Sequence, residues 1–180
     1  MGDVLQDLIC EHFHQFIAER AKNYTVDFAR RAMQDLAFED YEDFYHVVDV
    51  KTHRLSGSFS MPNLISVERL ARFYESDKNI FVILMVQYDI DNQTAQVRNV
   101  HFVPIEYLRW DCLTLGALGW GQIQIRNANH LSIDPTQSRK TWMLQLLDAL
   151  DEFYPREIAK IQDRLSHFQK IRQFWASRPD

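Results

Sequence analysis

Apolar residues recur at three- and four-residue spacing from the start of the chain. Val4, Leu5, Leu8, Ile9, Phe13, Phe16 and Ile17 fall on one helical face and Asp3 stands where an N-cap belongs, so the spacing predicts an amphipathic helix over 3–22. Thr25 or Asp27 then caps a short second helix running to Met33. Next the period shortens to two. Leu36–Phe38 and Phe44–Lys51 read as strands, and the acidic segment Glu39, Asp40, Tyr41, Glu42 and Asp43 between them reads as the turn of a hairpin, since turns take Asp and carry charge without cost. Helical spacing returns with Pro62 in a first-turn position and Leu64, Ile65, Val67, Leu70, Ala71 and Phe73, up to Ser76. Ile80–Tyr88 is continuously apolar and rich in β-branched residues, the pattern of a strand covered on both faces. Gln96–Val103, beyond a turn at Asp91–Asn92, reads as its antiparallel neighbour. Pro104–Trp110 predicts a short helix, and Gly121–Arg126 a strand whose polar face carries Gln122, Gln124 and Arg126. From Pro135 the pattern is helical to about Ala176, with Pro155 starting a second helix or kinking the first.

This order predicts an α/β fold in which a mixed central β-sheet is flanked by helices. With no repeat and no Pro/Gly/Ser-rich linker, the expectation is one domain over 1–180: an N-terminal helical part (1–33), a sheet core holding the hairpin (34–126) and C-terminal helices (135–177). At 180 residues, 46% hydrophobic and 13% aromatic, the chain has apolar material for a full core, which excludes disorder for most of it. A formal net charge of −5 excludes binding to polyanions by bulk positive charge. Nucleic acid is then reached through local patches or bound metal. Cys10 and Cys112 match no C-x-x-C spacing and read as two buried thiols in a reducing compartment. No apolar run reaches the ~18 residues that span a bilayer, and the first residues lack a basic stretch followed by an apolar one. The expectation is a soluble cytoplasmic protein with no membrane partner.

The most informative segment is Phe44–Thr52. Alternation puts Val47, Asp49 and Lys51 on one face of the strand and His46, Val48 and Val50 on the other, so an acid and a base project side by side from an otherwise apolar strand. Asp35 begins the partner strand, and closing the hairpin brings its carboxylate toward Asp49. Two carboxylates converging with a lysine form a device for phosphodiester hydrolysis. Hard oxygens hold Mg²⁺, which keeps several waters and binds phosphate oxygens, and a neighbouring lysine orients or deprotonates the nucleophile. Asp49-Val50-Lys51 is the only place where an acid stands two positions before a lysine. The bland alternative is a silent Asp–Lys pair on an edge strand, worth about 0.2–1 kcal/mol.

Order and spacing resemble the PD-(D/E)xK nuclease superfamily. Tyr45–Asn63, with Asp49-Val50-Lys51-Thr52 and then Met61-Pro62-Asn63-Leu64-Ile65-Ser66, is similar to the type II restriction endonuclease branch that contains HincII and EcoRV. The similarity continues through Arg69–Ala71, Met85–Asp89, Phe102–Leu108 and Gly121-Gln122-Ile123-Gln124-Ile125 into the C-terminal helices, covering 34–175. The resemblance implies a restriction endonuclease-like core and a homodimeric, Mg²⁺-dependent enzyme that cuts both strands of a short site in double-stranded DNA. It implies Asp35 and Asp49 as metal-binding acids, the carbonyl of Val50 as a further ligand and Lys51 as the catalytic lysine. It also implies that Ser56–Asn63, with Ser60 and with Asn63 at a helix start, approaches DNA, and that base-reading or groove contacts come from the region of Trp120 and Gln122. The chain departs from the family in having Gln34 where a proline usually precedes the first acid. It has less N-terminal chain than the larger members, and its own Gly-Ala-Leu-Gly-Trp at 116–120, so no recognition sequence carries over.

Other candidates are weaker. His53 and Arg54, just beyond Lys51, read as phosphate contacts or as ordinary exposed charge, and Asn63 also reads as a helix cap. His12 and His14, two apart on a helix, point in different directions. Arg139, Lys140, Lys160, Arg164, Lys170 and Arg172 make a DNA-facing patch or a solvated face, being interleaved with Asp148, Glu152 and Asp163. Trp110, Trp120, Trp142 and Trp175 read as core or interface before base stacking. Two rival functions stay open: a DNA repair or nicking nuclease on the same fold, which the short N-terminus favours, and a DNA-binding module that does not cleave. Converging Asp35, Asp49 and Lys51 argue against the second, because a silent domain has no physical need of them.

Overall fold

A computed structural model describes residues 2–17, 19–25, 35–92 and 94–179. They form helix α1 (Gly2–Ile17), strands β1 (Ala21–Thr25), β2 (Leu36–Asp40), β3 (Tyr45–Arg54) and β4 (Asn63–Ser66), helix α2 (Val67–Phe73), strands β5 (Asn79–Asp91) and β6 (Thr94–Pro104), 3₁₀ turns at Ile105–Tyr107 and Trp110–Cys112, strands β7 (Leu113–Gly116) and β8 (Gln122–Ile125), and helix α3 (Arg139–Ala176). The chain divides into two compact units, residues 1–139 and 140–180. The second is the greater part of α3 and the tail after it.

In the first unit β5 is central because nothing along Phe81–Tyr88 is exposed. It pairs with β3 in parallel, from Tyr45↔Asn79 to Arg54↔Tyr88, and with β6 antiparallel across a turn in which Asn92 adopts φ 46°. The predicted hairpin is β2–β3, antiparallel from Leu36↔Val48 to Glu39↔Tyr45. Its acidic segment works as a turn. Asp40 Oδ1 accepts from the backbone N–H of Glu42 (2.9 Å) and Phe44 (3.0 Å), and Asp43 takes φ 64°. The result is a mixed five-stranded sheet in the order β1-β2-β3-β5-β6 and a three-stranded sheet in the order β4-β8-β7. The chain is thus mixed α/β.

Period two sorts the two sides of the larger sheet. Val48, Val50, Val82, Leu84 and Val86, with Leu36 and Phe38, bury themselves against Phe13, Leu5, Ile9 and Ile17 of α1. Each such side chain contributes about 1.5–3 kcal/mol. The opposite side carries Phe81, Ile83 and Met85, all fully buried. It meets α2 and the loop after β8. The rings of Phe73 and Phe81 sit edge-on at 6.5 Å, and Gln87 Nε2 donates to the Ala128 carbonyl at 2.6 Å.

Several expected boundaries move. The first helix ends at Ile17, not at 22, because Ala21–Thr25 finds an edge to pair with on β2 (Ala21↔Asp40, Thr25↔Ala37). The expected helix from Thr25 or Asp27 to Met33 loses Thr25 to β1, and its remainder lies outside the described residues. The helix expected from Pro62 starts only at Val67. Ser66 caps it, its Oγ accepting from Arg69 N at 3.3 Å, while Asn63–Ser66 is a strand paired with β8. Pro104–Trp110 is not one helix but contributes to two 3₁₀ turns. Pro155 neither starts nor ends a helix. It sits inside the 38-residue α3, about 57 Å long at 1.5 Å per residue. Among the described residues no helix is long and apolar enough to cross a membrane.

Candidate active site

β3 outruns its hairpin partner. β2 accompanies it only to Leu36↔Val48, whereas the pairing with β5 continues to Arg54. Asp35, immediately before β2, caps the open stretch of edge. Its Oδ2 accepts from Val50 N at 2.7 Å, and its Oδ1 accepts from Gln6 Nε2 on α1 at 2.9 Å. A carboxylate therefore stands where the backbone ladder stops.

On the neighbouring position of β3, Asp49 is only 4% exposed. Its Oδ1 accepts from Lys51 Nζ at 2.7 Å, the contact expected of residues two apart on one strand face. Its Oδ2 is buried and has no hydrogen-bond partner among the described residues. Desolvation pushes the Asp49 carboxyl up to about 7, the charge of Asp35 adds to the rise, and the charge and hydrogen bond of Lys51 pull against it. An ionised carboxylate here is a charge only half compensated. Such a group is held in a fold when something else supplies the compensation.

The donor set fits a hard divalent cation. Asp49 offers the orphaned Oδ2, and each Asp35 oxygen keeps a lone pair beyond the bond it already accepts. The Val50 carbonyl lies on the same strand edge as its N–H, as backbone groups of one strand residue do. Among the described residues no group of three or more His, Cys, Asp or Glu side chains stands together to hold a metal ion. Two carboxylates and a carbonyl are too few for a closed zinc site but suit Mg²⁺, which keeps waters in its shell.

The residues expected to touch DNA separate. His53 is 7% exposed, with its Nε2 2.7 Å from Asn129 Oδ1, so the ring expected at phosphate is an interior one that ties β3 to the 126–133 loop. Period two explains this, because His53 follows Asp49 and Lys51 on the covered face. Arg54 is exposed and donates from Nε to Ser56 Oγ at 3.0 Å. Ser60 is half-buried, its carbonyl accepting from Ala128 N at 3.3 Å. Asn63 is exposed on the first position of β4, not at a helix start, and its Oδ1 accepts from Gln124 Nε2 at 2.6 Å. Trp120, 68% exposed, lines an open cavity of about 380 Å³ with Gln122, Leu64, Ser66, Glu68 and Arg69. The β7–β8 turn that presents Trp120 needs its glycines, Gly119 at φ 57° and Gly121 at φ 112°. The smaller sheet thus gathers Asn63, Trp120 and Gln122.

Sequence reasoning missed Gln6 and Asn129, the partners of Asp35 and His53. Each is a single polar residue far along the chain from the group it holds, and nothing local marks it. The chain matches no protein-family model and no curated protein significantly.

Proposed function

We propose that this chain is a Mg²⁺-dependent endonuclease that hydrolyses phosphodiester bonds in double-stranded DNA, of the type II restriction kind, acting as a homodimer. The observation that carries the reading is the buried Asp49, with one oxygen on Lys51 and the other unpartnered, beside the Asp35 carboxylate that accepts from the N–H of Val50. When bound, Mg²⁺ supplies Lewis acidity at a phosphate oxygen and lowers the pKa of a coordinated water. Asp49, Asp35 and the Val50 carbonyl would hold it. Lys51 is anchored by one hydrogen bond to Asp49, and its side chain is about a quarter exposed, so its remaining N–H groups can orient a water and a phosphate oxygen. Gln6 fixes the rotamer of Asp35 from the far side. Asn63, Trp120 and Gln122, with exposed Arg54, provide groove and backbone contacts.

The test is incubation of purified protein with supercoiled plasmid, with Mg²⁺ and with EDTA, alongside Asp35→Ala and Asp49→Ala variants whose folding is checked by thermal unfolding. Discrete linear fragments with Mg²⁺ alone, lost in both variants, are expected. Relaxed circles without linear product would select the nicking or repair nuclease. Binding without cleavage would select the DNA-binding module, and unchanged cleavage by folded Asp49→Ala would end the assignment.

A further inference from the structure

From Ile158 to Pro179 every described residue is exposed. Helices in proteins draw most of their stability from packing an apolar face, and this stretch carries such a face in the open. Ile158, Ile161, Leu165, Phe168 and Trp175 are 51–67% exposed, as is Leu147 (52%) upstream. These six fall on one series of positions spaced alternately by three and four: 144, 147, 151, 154, 158, 161, 165, 168, 172 and 175. That is the core seam of a coiled coil. Apolar or aromatic residues hold every position of the series except Asp151 and Arg172.

Those two exceptions decide what covers the seam. In a parallel pair of copies Asp151 would face Asp151 and Arg172 would face Arg172, both like-charge contacts inside the seam. In an antiparallel pair the carboxylate of one copy comes within about a helical turn of the guanidinium of the other. The remaining charge runs the same way. Between Leu147 and Ile158, Asp148, Asp151, Glu152 and Glu157 outweigh Arg156, and between Ile158 and Trp175, Lys160, Arg164, Lys170 and Arg172 outweigh Asp163. The helix is self-complementary end for end, which no unrelated partner is required to match.

We propose that two copies of this chain pair through α3 as an antiparallel coiled coil along the seam from Leu147 to Trp175. The six seam side chains offer on the order of 100 Å² of reachable apolar surface each, so covering them on both copies removes about 1,200 Å², where specific interfaces begin. The pairing does not depend on the nuclease reading.

The test is sedimentation equilibrium of the full chain over a wide concentration range, without DNA or divalent metal. A dimer is expected, and Ile161→Glu with Leu165→Glu, two exposed positions, weakens it tenfold or more because the seam must then bury carboxylates. Circular dichroism checks that the variant stays folded. Asp151→Arg alone and Arg172→Asp alone each weaken the dimer, and the two together restore it. A monomer at all concentrations, or a dimer indifferent to the seam substitutions, overturns the proposal. Single charge reversals without effect, or a double reversal without rescue, overturn the antiparallel arrangement.

Discussion

Asp49→Asn keeps the shape of the side chain and deletes its charge, and its consequence for stability can be worked from the burial of this carboxyl. In the metal-free fold Asp49 is raised to about 7, mainly by desolvation. In the unfolded chain it returns to about 3.9. Between these values the folded protein holds a proton that the unfolded chain has released, so stability is fully present below the lower value and drains away as pH rises through the upper one. The slope is about 1.4 kcal/mol per pH unit between the two values and flattens at the upper one, so about 2 kcal/mol is lost between pH 5 and pH 7. Carboxyls held below their usual range by hydrogen bonds, such as Asp89 and Asp134, act in the opposite sense, but their effect is complete by about pH 5. Groups common to both proteins cancel in the comparison. The assay is urea unfolding in EDTA at half-unit pH steps for the wild type and for Asp49→Asn. The wild type should lose about 2.5 kcal/mol relative to the variant from pH 5 to 7.5, and saturating Mg²⁺, which binds the ionised form, should recover stability in the wild type only. Parallel pH profiles in EDTA would refute the claim that a desolvated, half-compensated carboxyl sits at this position.

Three further outcomes are expected. Lys51→Met should reduce plasmid cleavage to background while leaving Mg²⁺-dependent thermal stabilisation in place, since the carboxylates remain; loss of that stabilisation would make Lys51 a structural residue. Gln6→Ala should lower the single-turnover cleavage rate about 10- to 100-fold, the usual consequence of releasing a residue that orients a metal-binding group, with thermal stability little changed; an unchanged rate would show that Asp35 needs no support from α1. Trp120→Ala should weaken DNA binding about tenfold or more in fluorescence anisotropy, as removal of a stacking or wedge contact does, and leave the unfolding temperature alone because the ring is mostly exposed; equal affinity would remove the β7–β8 turn from the DNA-facing surface.

What the sequence made legible is what local periodicity encodes. Period two placed Asp49 and Lys51 on one face, and their contact at 2.7 Å is a property of a single strand. The uninterrupted run within β5 marked a strand covered on both sides, and the acidic tip of the hairpin marked its turn. The misreadings lie where a distant partner decides. Leu64 and Ile65 have the spacing of a first helical turn, but β8, some sixty residues on, offers a strand edge and takes them. Ser66 then becomes the helix cap, its Oγ accepting from Arg69 N, and the helix starts at Val67 rather than at Pro62. Ala21 and Lys22 carry the end of the helix predicted over 3–22 and Thr25 a cap of the next for the same reason, since the pairing of Ala21–Thr25 to β2 is invisible locally. His53 reads as a phosphate contact or exposed charge from its place just beyond Lys51, although the alternation that buries Asp49 buries it too.

The candidate site owes its geometry to a mismatch in strand length more than to any one residue. Had β2 continued alongside β3, a backbone carbonyl would have taken Val50 N and the ladder would have closed over the edge. β2 begins at Leu36, and the Val50 N–H is satisfied by the side chain of Asp35, whose charge is felt at Asp49 on the next position of β3. Meanwhile β5 supports β3 along its whole length, burying Asp49 so that its ionised form is only half compensated by Lys51. Desolvation strengthens every interaction that Asp49 makes, including the attraction for a cation.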